Sequence, residues 1–185
     1  MNFEAVLRWL IENFNKYNIR FALIGGFAMH ASGYMRSTQD LDILVFKEDM
    51  PKVKQLMNSF GYELIHESED VSNFAGKLKE LGRVDFLYAH RTYAKNMLQR
   101  AKDCGILDNS FQVKVLQPED LIGLKVQSSS NDPARYHQDL ADIEVLVRVN
   151  LKTLNMDLVR EYFSLFHREE EFKNILDKIQ NAQPN

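Results

Sequence analysis

Apolar residues recur along this chain with two periods, and the switch between them predicts the elements. Residues 3–17 place Phe3, Val6, Leu7, Leu10, Ile11 and Phe14 at helical spacing, with Glu4, Arg8, Glu12 and Asn13 opposite. Phe21-Ala22-Leu23-Ile24 reads as a short buried strand stopped by Gly25-Gly26. Residues 27–32 read as a short helix with Gly33 just beyond its end. The apolar, β-branched run 41–46 predicts a strand. Pro51 opens a helix to Phe60, with Asp49 as its candidate cap, and Gly61 ends it. Residues 62–67, 71–80 and 83–88 read as strands, with Leu81-Gly82 as a turn before the last. Residues 91–103 predict a basic helix, and 111–116 alternate as a half-exposed strand. A helix begins at Pro118, and Ser128-Ser129-Ser130-Asn131 is expected to break it. Asp132-Pro133 starts another that runs to Val149, and residues 155–180 hold one or two more.

The order of these elements gives the fold class. The first two thirds are mixed and the last third is helical. Short connections between the strands at 62–88 call for antiparallel pairing, because a parallel pair needs a long crossover. The expectation is an α+β fold: a mixed, largely antiparallel sheet with flanking helices, and a C-terminal helical part. Residues 1–117 form the core, and 118–180 a helical segment packed on it as one compact unit.

Composition narrows the function classes. The chain has 185 residues, 45% apolar and 26% charged, as in ordinary soluble proteins. A net charge of −3 gives no global case for a nucleic-acid or membrane-surface partner. Lys77, Lys79, Arg83 and the helix at 91–103 form a local basic set, read first as a solvated face and second as an RNA surface. The single cysteine, Cys104, excludes an internal disulfide and a cysteine-cluster metal site. No apolar run approaches the roughly 20 residues of a membrane span, and the N-terminus has no signal-peptide layout, so a cytoplasmic location is expected. The five histidines share no ligand spacing, which argues against zinc.

The chemistry concentrates at residues 25–45. Asp40 and Asp42 are two apart, so on a strand both carboxylates face one way while Leu41 and Ile43 face the other. Close carboxylates repel unless a proton or cation is shared. Oxygen-only ligands favour a hard ion such as Mg²⁺ or Mn²⁺. Asp85 interrupts another apolar strand and could complete a three-carboxylate site for two metals about 3.5–4 Å apart. Gly25 and Gly26 lie between strand and helix, where glycine lets a ligand approach the backbone. Arg36, Ser37 and Thr38 precede the aspartates. Each piece alone also has a bland reading: a tight turn, ordinary loop residues, solvated acids at a strand end.

Taken together, strand, Gly-Gly, thirteen residues, Asp-Leu-Asp-Ile and a later lone Asp in a strand resemble the nucleotidyltransferase superfamily with the polymerase-β-like fold. Arg36-x-Thr38-x-Asp40-Leu41-Asp42 adds to the match. The stretches Pro118-Glu119-Asp120-Leu121-Ile122-Gly123-Leu124-Lys125 and Asp139-Leu140-Ala141-Asp142-Ile143 are similar to small bacterial members, including abortive-infection toxin-type nucleotidyltransferases. The resemblance implies that Asp40, Asp42 and Asp85 hold the metal and carry catalysis. It implies that Gly25, Gly26, Arg36, Thr38 and Lys125 bind the nucleotide. The implied activity moves an NMP from an NTP to an acceptor hydroxyl on RNA or protein and releases pyrophosphate. The alternatives are an antibiotic or other small-molecule acceptor, or an inactive member that binds a nucleotide or a partner. The toxin-type likeness also implies a possible antitoxin partner.

Overall fold

The computed structural model describes residues 1–35 and 37–181, so Arg36 lies outside the described residues. The chain divides into two compact units, Met1–Ala31 with Arg36–Gln117, and Ser32–Met35 with Pro118–Asn185.

The first unit is built on a sheet of β1 (Phe21–Leu23), β2 (Leu41–Phe46), β3 (Tyr62–Glu67), β4 (Val71–Gly76), β5 (Arg83–Ala89), β6 (Lys102–Ile106) and β7 (Phe111–Val115), in the order β3-β4-β5-β2-β1-β7-β6. β1/β2, β3/β4, β4/β5 and β6/β7 pair antiparallel, while β2/β5 and β1/β7 are parallel. The helices are α1 (Phe3–Lys16), α2 (Gly25–Ala31), α3 (Met50–Ser59) and α4 (Thr92–Arg100). The sheet is thus mixed and mostly antiparallel, as expected.

The two sheet faces differ. Phe14 of α1 meets Phe21 edge-on at 5.1 Å and lies 6.2 Å from Phe86, which packs on Phe74 at 5.7 Å. Ile43, Val84, Phe86 and Phe74 are all buried on that covered face. Each such side chain contributes about 1.5–3 kcal/mol on burial. Side chains alternate along a strand. Asp42, Asp85 and Asn73, one position away in β2, β5 and β4, therefore share the opposite face, where all three are half-buried.

Several expected boundaries shift. The basic helix at 91–103 ends at Arg100, and residues 102–106 form β6 instead. Only Ile106 of β6 is buried, so this polar edge strand has little apolar pattern to betray it. β4 stops at Gly76, whose N–H donates to Gly82 O at 2.8 Å. α2 starts at Gly25 itself rather than at Phe27. Asp49 makes no capping bond; it accepts from the Arg20 backbone N–H and Nε–H, each at 3.2 Å.

The second unit holds α5 (Pro118–Asn131), α6 (Tyr136–Asn150), α7 (Met156–Ser164) and α8 (Glu169–Asn181). The serine run does not break α5. Ser129 Oγ and Ser130 Oγ donate to the carbonyls of Lys125 and Val126, four residues back, at 2.7 Å each. Arg168 Nη1 donates to both hydroxyls and to Val126 O. A 3₁₀ turn, Pro133–Arg135, precedes α6, with Asp132 accepting from Ala134 N–H at 3.0 Å. No helix among the described residues is long and apolar enough to cross a membrane.

Candidate active site

The corner where β1 gives way to α2 sets the geometry. Ile24 N–H donates to Asp42 O at 3.0 Å and extends the β1/β2 pairing by one residue. The chain then turns through Gly25 at φ +58°, a region that side-chain-bearing residues avoid. A Cβ at Gly25 would lie 1.9 Å from Asp42 Oδ2, so that carboxylate occupies the space a side chain would need. A Cβ at Gly26 would lie 2.5 Å from Thr38 Cβ. The glycine pair therefore lets Asp42 and Thr38 press against the backbone. Thr38 Oγ1 donates to Asp40 O at 2.9 Å and fixes the approach to β2.

β2 and β5 bring the acids level. Leu41, Ile43, Leu44 and Val45 are fully buried, which holds β2 in place and leaves Asp42 as its half-buried polar residue. Val84 and Phe86 do the same for Asp85. Asp42 and Asp85 are register partners on adjacent parallel strands. Partners in neighbouring strands are about 4.8 Å apart and share a face. Asp85 Oδ1 is buried with no hydrogen-bond partner. Asp40 precedes β2 by one residue and is half-buried.

The row continues where sequence reasoning did not look. Asn73 of β4 is the register partner of Asp85, and His66 of β3 is the partner of Asn73. A register shift between Leu64 and His66 brings His66, not Ile65, level with the row. Strand alternation in the sequence could have flagged Asn73. Nothing in it encodes the shift.

Among the described residues, no three or more His, Cys, Asp or Glu side chains form a ready-made cation cage. Mg²⁺ does not require one: it takes one or two carboxylates and completes its shell with water and substrate phosphates. An oxygen-only pair with an orphaned, buried carboxylate oxygen fits such an ion.

The second unit holds a different ionic group. Lys125 Nζ donates to Asp139 Oδ1 at 3.0 Å and Asp142 Oδ2 at 2.6 Å. The Lys125, Asp139 and Asp142 side chains are 12%, 0% and 4% exposed. Arg135 Nε also donates to Asp139 Oδ2 at 3.2 Å. Burial by itself would raise the Asp139 carboxyl. The Lys125 charge and the hydrogen bonds from Arg135, Ser128 and Lys125 outweigh it and hold that carboxyl below the usual range.

Solved structures share this fold. The solution structure of the antibiotic-resistance factor ANT(2″)-Ia is 15% identical, with a TM-score of 0.61, over 99% of this chain and 100% of that one. The lincosamide adenylyltransferase LnuA, bound to lincomycin, is 17% identical with a TM-score of 0.56, over 77% of this chain and 95% of that one. A putative nucleotidyltransferase from Thermotoga maritima is 10% identical with a TM-score of 0.54, over 76% of this chain and 92% of that one. No curated protein matches the chain in sequence at a significant level. A family model does, over residues 2–176, so this protein is an enzyme of the family described as "Uncharacterised nucleotidyltransferase", to which the chain belongs.

Proposed function

We propose that the protein moves an NMP group from an NTP to an acceptor hydroxyl, in a metal-dependent reaction at the Gly25–Asp42–Asp85 corner. The observation that carries this reading is the in-register pair Asp42 and Asp85 beside Gly25, with Asp85 Oδ1 buried and without a partner. Asp40, Asp42 and Asp85 are the proposed ligands of Mg²⁺ or Mn²⁺. When bound, such an ion lowers the pKa of the attacking hydroxyl and offsets charge on the triphosphate and leaving group.

The chain's own residues do the rest. Gly25 and Gly26 carry no side chains of their own, and Asp42 and Thr38 lie against them; on the family resemblance this turn is the proposed seat of the nucleotide phosphates. Thr38 holds the loop that carries Asp40. Asp85 takes the proton of the acceptor hydroxyl as that oxygen attacks the α-phosphorus. The bond to the β-phosphate oxygen breaks and pyrophosphate leaves. Arg36 and Lys125 are proposed phosphate contacts on the family resemblance alone, and two of the three Lys125 N–H donors are already engaged by Asp139 and Asp142.

The test is transfer of label from α-labelled NTPs, with Mg²⁺, to RNA, protein and small-molecule pools. Asp42→Ala is expected to lower transfer on the order of a thousandfold with an unchanged circular dichroism spectrum. Turnover at the wild-type rate by folded Asp42→Ala overturns the assignment.

RNA or protein was the first expectation for the acceptor, and one observation favours a small molecule instead. Three of the basic residues that could form an RNA surface lie beside acids: Lys77 and Glu63 at 3.6 Å, Arg91 and Asp70 at 3.3 Å, Lys95 and Glu48 at 2.9 Å. The fold match to ANT(2″)-Ia, also solved in complex with adenylyl-2″-tobramycin, points the same way. The family description carries neither toxin nor antitoxin, and no antitoxin partner is proposed.

A further inference from the structure

The strand order gives the acid pair two unlike flanks. On the β1 side of Asp42 lies the Gly25-Gly26 turn, the proposed seat of the nucleotide phosphates. On the far side of Asp85 the order runs β5, β4, β3. Asn73 of β4 is level with Asp85, and His66 of β3 is level with Asn73. Four polar residues, Asp42, Asp85, Asn73 and His66, thus stand in one row across four neighbouring strands. At about 4.8 Å per strand, Asn73 is one strand beyond the acid pair and His66 two.

The row points away from the phosphate side, toward an open sheet edge. β3 is the edge strand, and every residue in it after Tyr62 is exposed. Asn73 is half-buried between Ser72 and Phe74, which are fully buried on the opposite face. Its carboxamide is held on the same face as Asp85, and it both donates and accepts hydrogen bonds.

We propose that Asn73 binds the acceptor molecule, orienting the hydroxyl that Asp85 deprotonates, with His66 marking the outer end of the same acceptor subsite. This rests on the transfer reading above and deepens it. The nucleotide enters on the glycine side and the acceptor on the β4/β3 side, so the attacking oxygen and the pyrophosphate leaving group lie on opposite flanks of the acid pair. The subsite has a carboxamide and an imidazole where a phosphate-recognising site would carry paired cations. It therefore suits a hydroxyl-bearing acceptor that is not a polyanion.

The experiment compares wild type, Asn73→Ala and Asn73→Ser with labelled ATP and Mg²⁺. The acceptor probes are tobramycin, lincomycin and a short RNA with a free 3′ hydroxyl, and water is followed as acceptor by pyrophosphate release. For the probe that wild type modifies, Asn73→Ala is expected to raise the acceptor KM about tenfold, as loss of one hydrogen bond does. The KM for ATP and the water-supported release stay within about twofold, and Asn73→Ser, which keeps a donor and acceptor, recovers part of the loss. An unchanged acceptor KM in folded Asn73→Ala or Asn73→Ser overturns the Asn73 assignment and leaves the transfer reading standing. A loss of equal size in the ATP KM overturns it too. RNA as the sole modified probe overturns the non-anionic acceptor class. A wild-type protein inert with all four acceptors overturns the transfer reading and this subsite with it.

Discussion

Each unit of this protein holds a pair of aspartates, and the two pairs are finished differently. Asp139 and Asp142 lie one turn apart on α6 with Lys125 between them and Arg135 on Asp139. That pair is buried, and its cation is covalently part of the chain. Asp42 and Asp85 come from different strands, are half-buried, and leave Asp85 Oδ1 without a hydrogen bond. Buried carboxylates need compensation in either case. The helical pair receives it within the fold, from Lys125 and Arg135. The strand pair has a buried oxygen, Asp85 Oδ1, with no hydrogen-bond partner, and that incompleteness is what supports its proposed role as the reactive site.

If the contrast is right, the two pairs respond in opposite senses to loss of charge. The largest effect on stability belongs to the helical cluster. Lys125→Met leaves two acids buried without their cation and is expected to cost about 3 kcal/mol, read as a fall in the urea midpoint. A midpoint equal to wild type would show that the cluster is not the structural element described. Acid sharpens the same point. The Asp139 carboxyl is held below its usual range, so its contribution is fully present above the unfolded value of about 3.9 and is lost as pH falls through the folded value. The gap in melting temperature between wild type and Asp139→Asn should therefore narrow below about pH 4. A gap that stays constant from neutral pH down to about pH 2 contradicts the ionic account.

Much of the fold was legible because burial has a period. Phe3 to Phe14 marked α1, and the buried run at Leu41–Phe46 marked β2. What failed was structure carried by polar residues. β6 has one buried side chain, so its place as an edge strand is set by pairing with β7 rather than by its own pattern. The serine run of α5 read as a break because serine competes for backbone bonds, yet here its hydroxyls turn back on the helix's own carbonyls. The residues of the candidate site were visible as types and spacings, and Gly25, Gly26, Thr38 and Asp42 do adjoin one another. The level of Asp85 with Asp42, and of Asn73 and His66 beyond it, depends on inter-strand register. A one-residue slip would send those side chains to the other face, and local sequence does not set that choice.

The smallest effect is the most direct test of the central claim that Asp85, level with Asp42, awaits a cation. It is the melting temperature of wild type and Asp85→Asn, each in EDTA and with Mg²⁺ plus a non-hydrolysable ATP analogue. Without metal, removing the charge beside Asp42 is expected to stabilise Asp85→Asn by about 1 kcal/mol. With metal and nucleotide, wild type should rise through linkage and Asp85→Asn should rise less. An equal rise in both proteins, or an Asp85→Asn variant no more stable than wild type in EDTA, would contradict the account.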